Sequence, residues 1–359
     1  MRHAAVNLEG VSVFLADELD DQRRKVDFDT YDISVKQLLS MVTERTIDVA
    51  PEYQRHFRWD AERQSQLVES VFLGIPIPPM FMATNRDSSW EVVDGVQRLS
   101  SLIHFAGTDE TRERIGLRAP LPVEGLEKLQ SLNGEVFNNL PQPIQTQFML
   151  RPIKVVTLSD KSDTVVRFDL FERLNTGGVR LSNQEIRACV FRSEFNDFLG
   201  SLASLASFKH VVRLPASQQH DRTDEECVLR FFAFLNRYRS FEHSVVDFLN
   251  DYMKDARDGF DYAASRDLFV RTFDALETAL PEGIHRRGRK STPLNLFEGV
   301  SVGAALAMQQ SGQLAPQANT DWLDGDDLKR LTTGATNTQP MVHGRIEYCA
   351  QQFGWVRGA

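Results

Sequence analysis

Cysteine is scarce in this chain of 359 residues: Cys189, Cys227 and Cys349 stand far apart, and none belongs to a C-x-x-C pair. That excludes a disulfide framework and a zinc ribbon, and reads as buried thiols in a reducing compartment. Long hydrophobic runs are missing as well. No stretch approaches the ~18 apolar residues a membrane helix needs. The N-terminus (MRHAAVNLEGVSVFLADELDDQRRK) lacks the apolar core and cleavage site of a secretory leader. The expectation is a cytoplasmic protein with no membrane partner and an N-terminal arm over residues 1–30, either disordered or a docking element. Excess positive charge is absent too: 41 Lys and Arg against 50 Asp and Glu leave a net charge of −9. A surface that grips nucleic acid through massed phosphate contacts is therefore excluded, although a local basic cleft is not. The eight histidines show no metal-ligand spacing, so no metal ligand is assigned. There is no internal repeat and no low-complexity tract.

What is present is an ordinary globular composition, 42% apolar and 25% charged, with length enough for two lobes. Ser34-Val-Lys-Gln37 reads as a helix start, with Leu38, Leu39 and Val42 on one face. Ile47–Val49 reads as a short strand halted by Pro51. A second helix is expected after Asp60, with Leu67, Val68, Val71 and Phe72 inward and Gly74 as its stop. Met80–Ala83 and Trp90–Val93 form a candidate hairpin across the polar turn Arg86–Ser89. Gly95 then turns the chain into a helix carrying Leu99, Leu102, Ile103 and Ala106. Residues 108–147 read as irregular with short helical pieces, and Pro152–Thr157 as another strand. A helix bearing Phe168 and Phe171 ends at Asn175-Thr-Gly-Gly178, and Ser182–Glu185 is a capping box for the next. Past about residue 195 only helical periodicity remains, including a helix capped by Thr223–Glu226. The run His285–Lys290 reads as a solvated basic loop.

Four clusters could carry chemistry. In Asp94-Gly95-Val96-Gln97-Arg98 a strand enters a helix through glycine, leaving first-turn amides unpaired at the positive end of the helix dipole. That is an anion site in form, and the Arg98 fork suits phosphate oxygens. Asp94 could cap the helix or hold a metal that travels with phosphate; the plain alternative is an Asp-Gly turn with polar surface residues. Pro51-Glu-Tyr-Gln-Arg-His-Phe-Arg-Trp59 interleaves aromatic and guanidinium groups, able to stack a base or to act as a staple with solvated charges. Asn175-Thr-Gly-Gly178 is either a helix C-cap or a loop closing over a ligand. Arg222-Thr-Asp224 either caps its helix or reaches toward the same cleft.

Taken together, PEYQRHFRW, VESVFLGIPIPPMFM, WEVVDGVQRLSSL, FERLNTGGVRLSNQEIRA and RTDEECVLRFFAFL occur in the order and spacing of one family. From about Ser34 to Phe234 the chain resembles the N-terminal domain of GmrSD-type modification-dependent restriction enzymes, a ParB/sulfiredoxin-like fold. The resemblance implies an α+β architecture: a small mixed-sheet nucleotide-binding lobe over residues 31–190, followed by an all-helical lobe over 191–359. It also implies binding and hydrolysis of a nucleoside triphosphate with Mg²⁺, coupled to DNA or to a separate effector nuclease in antiphage defence. Carried over by position, the catalytic candidates are Arg55, Asp94, Gln97 and Arg98. Tyr53, Gln54, Gly95, Asn175, Thr176 and Gly177 are the candidates for holding the nucleotide. Val96 stands where the D-G-Q-Q-R signature has its first glutamine, which makes binding the firmer expectation and turnover the weaker one. No histidine-rich nuclease segment follows the helical part. Two rivals stand: a metal-dependent DNA endonuclease in its own right, and a non-catalytic sensor of nucleotide or modified DNA.

Overall fold

The computed structural model describes residues 27–49, 59–85, 87–159, 164–174, 182–191, 193–218, 221–317 and 319–357. The protein is mixed α and β and divides into two compact units, Met1–Arg180 and Leu181–Ala359. Among the described residues no helix is long and apolar enough to cross a membrane.

The first unit is built on a five-stranded sheet in the order β1 (Phe28–Ser34), β5 (Pro152–Leu158), β3 (Met80–Thr84), β4 (Trp90–Asp94), β2 (Ile47–Asp48). β1–β5 and β3–β4 run antiparallel, whereas β5–β3 and β4–β2 run parallel, so the sheet is mixed as expected. β1 went unanticipated because it lies at the sheet edge and only Ile33 of its seven residues is buried, which erases the two-residue alternation. α1 (Val35–Thr43) starts where the sequence placed it: the Ser34 hydroxyl accepts from the Gln37 N–H at 3.2 Å. α2 (Ala61–Leu73) buries Leu67, Val68, Val71 and Phe72 and ends at Gly74 in the left-handed conformation, φ +72°. α3 (Val96–Ala106) buries Leu99, Leu102, Ile103 and Phe105. Short helices α4 (Asp109–Arg114) and α5 (Gln142–Met149) lead back to β5. Phe72, Phe105 and Phe148 meet at ring-centroid distances of 4.6 to 6.1 Å and close the core between α2, α3 and α5. α6 (Thr164–Leu174) follows β5.

Every element of the second unit among its described residues is helical: α7 (Asn183–Val190), α8 (Glu194–Ala203), α9 (Ala206–Val211), α10 (Thr223–Arg237), α11 (Val245–Ala256), α12 (Tyr262–Ala279), α13 (Leu294–Ser311), α14 (Asp326–Thr332) and α15 (Gln339–Gln352), with short 3-10 turns between. Ser182 and Glu185 form the expected capping box of α7. α10 departs from its reading. Thr223 is its first helical residue, and Asp221 takes the capping role by accepting from the Thr223 N–H at 3.1 Å and its hydroxyl at 2.6 Å. Gly303 lets α13 lie against α15, since a Cβ there would meet the Ala350 nitrogen at 2.6 Å. The basic run is solvated at Arg287, Arg289 and Lys290, but Arg286 turns inward and donates to the Leu323 carbonyl at 2.6 Å. Cys227 and Cys349 are buried free thiols, and burial pushes both thiol pKa values up.

A chain of buried charge crosses this unit. Arg187 donates to Asn250 at 2.8 Å and pairs with Glu226 at 3.1 Å; Glu226 pairs with Arg230 at 2.6 Å. Arg230 pairs in turn with Glu298, and Glu298 with Arg345, which is fully buried. Burial by itself would raise the Glu226 carboxyl, but the Arg230 and Arg187 guanidinium groups hold it below the usual carboxylate value. Glu298→Gln leaves two buried guanidinium groups short of a counter-charge and is expected to cost about 3–5 kcal/mol in urea unfolding. A loss under about 1 kcal/mol would show that the pairs behave like exposed ones. A carboxyl whose folded pKa is depressed gives stability that is present above the unfolded value of 4.5 and lost as pH falls through the folded one. Acid unfolding of the wild type should therefore lose more stability below that pH than Glu226→Gln does, as read by circular dichroism melts.

Candidate functional site

The turn between β4 and α3 is shaped by one glycine and one arginine. Gly95 sits at φ +103°, a region closed to most side chains, and an added Cβ would meet Met80 Cγ at 2.9 Å and Arg98 Nη2 at 3.2 Å. α3 then begins with no side-chain cap. Its first-turn amides have no partner within the helix, and the positive end of the helix dipole lies there. Across the turn the β3–β4 register shifts between Phe81 and Met82, so that Phe81 faces Asp94 while Met82 faces Val92. Such an irregularity re-aims the strand end that carries Asp94.

Arg98 is almost entirely buried. Its Nη2 donates to Asp94 Oδ2 at 2.7 Å and to the Pro79 carbonyl at 3.1 Å, which ties the end of β4 to the start of β3. Its Nε is buried and finds no hydrogen-bond partner among the described residues. Asp94 is partly exposed, with a quarter of its side chain reaching solvent. Val96 packs against the hydrophobic core of the first unit. Among the described residues no three His, Cys, Asp or Glu side chains gather as a cation cage. Asp94 offers a single carboxylate, so a Mg²⁺ ion here would need most of its oxygen ligands from the phosphates it accompanies and from water.

Gln97 takes another part. Its Oε1 accepts from the Trp59 N–H at 3.2 Å. The Trp59 carbonyl in turn accepts from Gln64 Nε2 on α2 at 2.9 Å, and Gln64 Oε1 lies 2.7 Å from His104 Nδ1 on α3. Burial lowers the His104 pKa, with a hydrogen bond to the Ala119 backbone pulling the other way and Arg112 adding to the depression. The Arg63 guanidinium lies 4.7 Å from the centre of the Trp59 ring. On the other side, Ile47 pairs with Trp90 and Asp48 with Glu91. Asp48 of β2 thus lies beside β4, and Trp59 beside the start of α3.

Of the residues singled out in the sequence, Asp94, Gly95, Gln97 and Arg98 meet at this turn. Tyr53, Gln54 and Arg55 lie outside the described residues, as do Asn175, Thr176 and Gly177 and the N-terminal arm up to residue 26. Arg222 is taken up locally by Glu225 at 3.1 Å. Gln64 and His104 were missed. The available signal was a polar residue inside an apolar stripe: Gln64 precedes Leu67 and Val68 by helical spacing and is itself buried.

Residues 35–192 match the family described as the GmrSD restriction endonuclease, N-terminal domain. No curated protein and no solved structure matches the chain. The matched stretch contains β2 to β5, the Gly95 turn and the Arg98 clasp, and runs on into α7. That match suggests a component of a restriction or antiphage defence system. Residues 35–192 thus carry a GmrSD restriction endonuclease N-terminal domain.

Proposed function

We propose that the turn between β4 and α3 binds the phosphates of a nucleoside triphosphate and that the protein couples this nucleotide to DNA or to an effector nuclease in restriction. The observation that supports it most directly is a helix start with no side-chain cap behind a left-handed glycine, with a buried Arg98 Nε that has no partner among the described residues. Phosphate oxygens fit that arrangement because amides and a guanidinium N–H donate and nothing there needs to be deprotonated. Gly95 allows close approach, α3 offers its amides, and Arg98 offers a charge-assisted bond worth about 1.5–3 kcal/mol. Arg55, carried in from the family signature, would add a second positive charge as phosphate charge develops. Mg²⁺, when bound, neutralises phosphate charge, and Asp94 would orient it or a water molecule. Transmission to DNA or to a nuclease rests on the family alone.

A binding-only sensor is the second reading, and Val96 favours it. Its side chain packs on the core and has no group to orient water, unlike the glutamine of the family signature. The stand-alone nuclease reading draws no comparable support from the described residues.

Titrating the purified protein with each common triphosphate and Mg²⁺ should show binding. In Gly95→Ala the left-handed backbone and the Met80 contact displace the turn, and affinity should fall by about tenfold or more. Unchanged affinity in that variant, with its melting curve confirming a folded protein, would falsify the assignment of phosphates to this turn. Val96→Gln should raise phosphate release per bound nucleotide while leaving affinity within about threefold. Release unaltered by that change would remove Val96 as the reason for weak turnover.

A further inference from the structure

Large aliphatic side chains that gather on a surface mark a place where something covers them. Four of the seven large hydrophobic side chains exposed among the described residues lie at the end of α2 or on and just after α5: Leu73, Ile75, Ile144 and Leu150, the last 64% exposed. The local sequence explains Ile75. α2 closes with two backbone bonds, from the Gly74 N–H to the Val71 carbonyl at 3.1 Å and from the Ile75 N–H to the Ser70 carbonyl at 2.9 Å. In such a helix end the apolar residue after the glycine commonly packs back on the last turn. That turn offers Glu69 and Ser70 here, and Ile75 stays half exposed. The loop that follows is held at several points: Ile77 packs on the core, prolines at 76, 78 and 79 fix the backbone, and Arg98 holds the Pro79 carbonyl at 3.1 Å. Arg151 stands beside the same helix end. Its Nη2 donates to the Phe72 carbonyl at 2.6 Å, and a Cβ added at Gly74 would meet its Nη1 at 3.0 Å. Capping α2 accounts for one of its N–H groups. Its Nε has no hydrogen-bond partner, and its charge has no carboxylate, among the described residues.

We infer that this surface docks a segment of a partner protein that presents aliphatic side chains around a carboxylate. Leu73, Ile75 and Leu150 take the aliphatic groups, and the Arg151 fork takes the carboxylate. Charge complementarity selects that occupant. A guanidinium set among leucine and isoleucine gains most from a carboxylate delivered with its own apolar collar, which keeps water from the pair. DNA would meet one cation and an aliphatic surface where it needs several cations. An anionic bilayer would face a protein of net charge −9. A second copy in a two-fold contact would bring Arg151 toward Arg151. The loop from Gly74 to Pro79 runs from this surface to the Arg98 clasp, so a docked segment touches the stretch to which the β4–α3 turn is tied. The inference rests on the coupling half of the reading above, for which it names a protein as the partner, and not on the nucleotide.

The probe is a fluorescein-labelled amphipathic helical peptide with leucines along one face and glutamates among them, beside a version with glutamine in place of glutamate. Anisotropy is read on the full chain without nucleotide. The glutamate peptide should bind about tenfold more tightly than the glutamine peptide, and Arg151→Gln should erase that difference. Ile75→Asp and Leu150→Asp, at exposed positions, should each weaken both peptides by about tenfold or more with unchanged melting curves. Val356→Asp, exposed in the second unit, should leave binding as it was. Absence of binding, equal affinity for the two peptides, or binding indifferent to Ile75→Asp and Leu150→Asp overturns the inference. So does binding to phosphatidylglycerol vesicles, or a dimer in sedimentation, that Leu150→Asp abolishes, since either assigns the surface to another occupant. Because nucleotide is left out, such a failure leaves the triphosphate reading standing, and a protein that binds no triphosphate leaves this surface standing.

Discussion

Arg98 spends its charge inside the protein, and the geometry of the first unit around the turn follows from that. One guanidinium holds the last residue of β4, Asp94, and the carbonyl that precedes β3, Pro79. The antiparallel pair β3–β4 is thereby closed at the end where α3 departs, and Gly95 is pressed into the small space between Met80 and the same guanidinium. An arginine used this way cannot at once be the free fork that its position in the sequence suggests. Its Nε edge, a directional donor in a buried setting, has no partner among the described residues. Its strength there comes from fixed geometry and low local dielectric.

Much of this architecture was legible. Ser34 and Ser182 mark helix starts because a hydroxyl followed three residues later by an amide or carboxylate satisfies orphan amides in a purely local way. The stripe of Leu67, Val68, Val71 and Phe72 is equally local, since a helix brings such residues to one face whatever it packs against. β1 was not legible: its sequence, FDTYDIS, is exposed at all but its last two positions, and pairing with β5 is a contact across more than a hundred residues. The charge chain of the second unit was hidden for the same reason, with Glu298 and Arg345 lying 47 residues apart. Their meeting depends on glycines at 299 and 303 that let α13 and α15 approach.

At the candidate site the sequence named the turn but not the economy of its polar groups. Asp94, Gly95, Gln97 and Arg98 are brought together by one strand-to-helix junction, so their adjacency is built into five consecutive residues. How each is used depends on partners that no short motif contains: a proline carbonyl for Arg98, a tryptophan peptide for Gln97. Backbone groups carry no side-chain signature, so a side chain that serves one looks in sequence like a side chain awaiting a ligand. Gln64 shows the converse, a buried amide read over because its neighbours are apolar.

A chain with net charge −9 is an unexpected host for a polyanion, and the proposed reading has to meet that objection. Long-range attraction would not draw a triphosphate to this protein; the summed field opposes it. Screening answers part of this, since at physiological ionic strength charges more than about 8 Å away are largely masked. In the proposed reading the remainder falls to groups within contact range, and those described at the turn are helix amides and a buried guanidinium edge. Binding of this kind depends on position more than on field, and it tolerates an acidic surface as long as the local donors are held still. The two glutamines on one peptide, the arginine on a proline carbonyl and the glycine wedged against methionine each remove freedom from the groups around the turn, which is what the proposed reading requires of them.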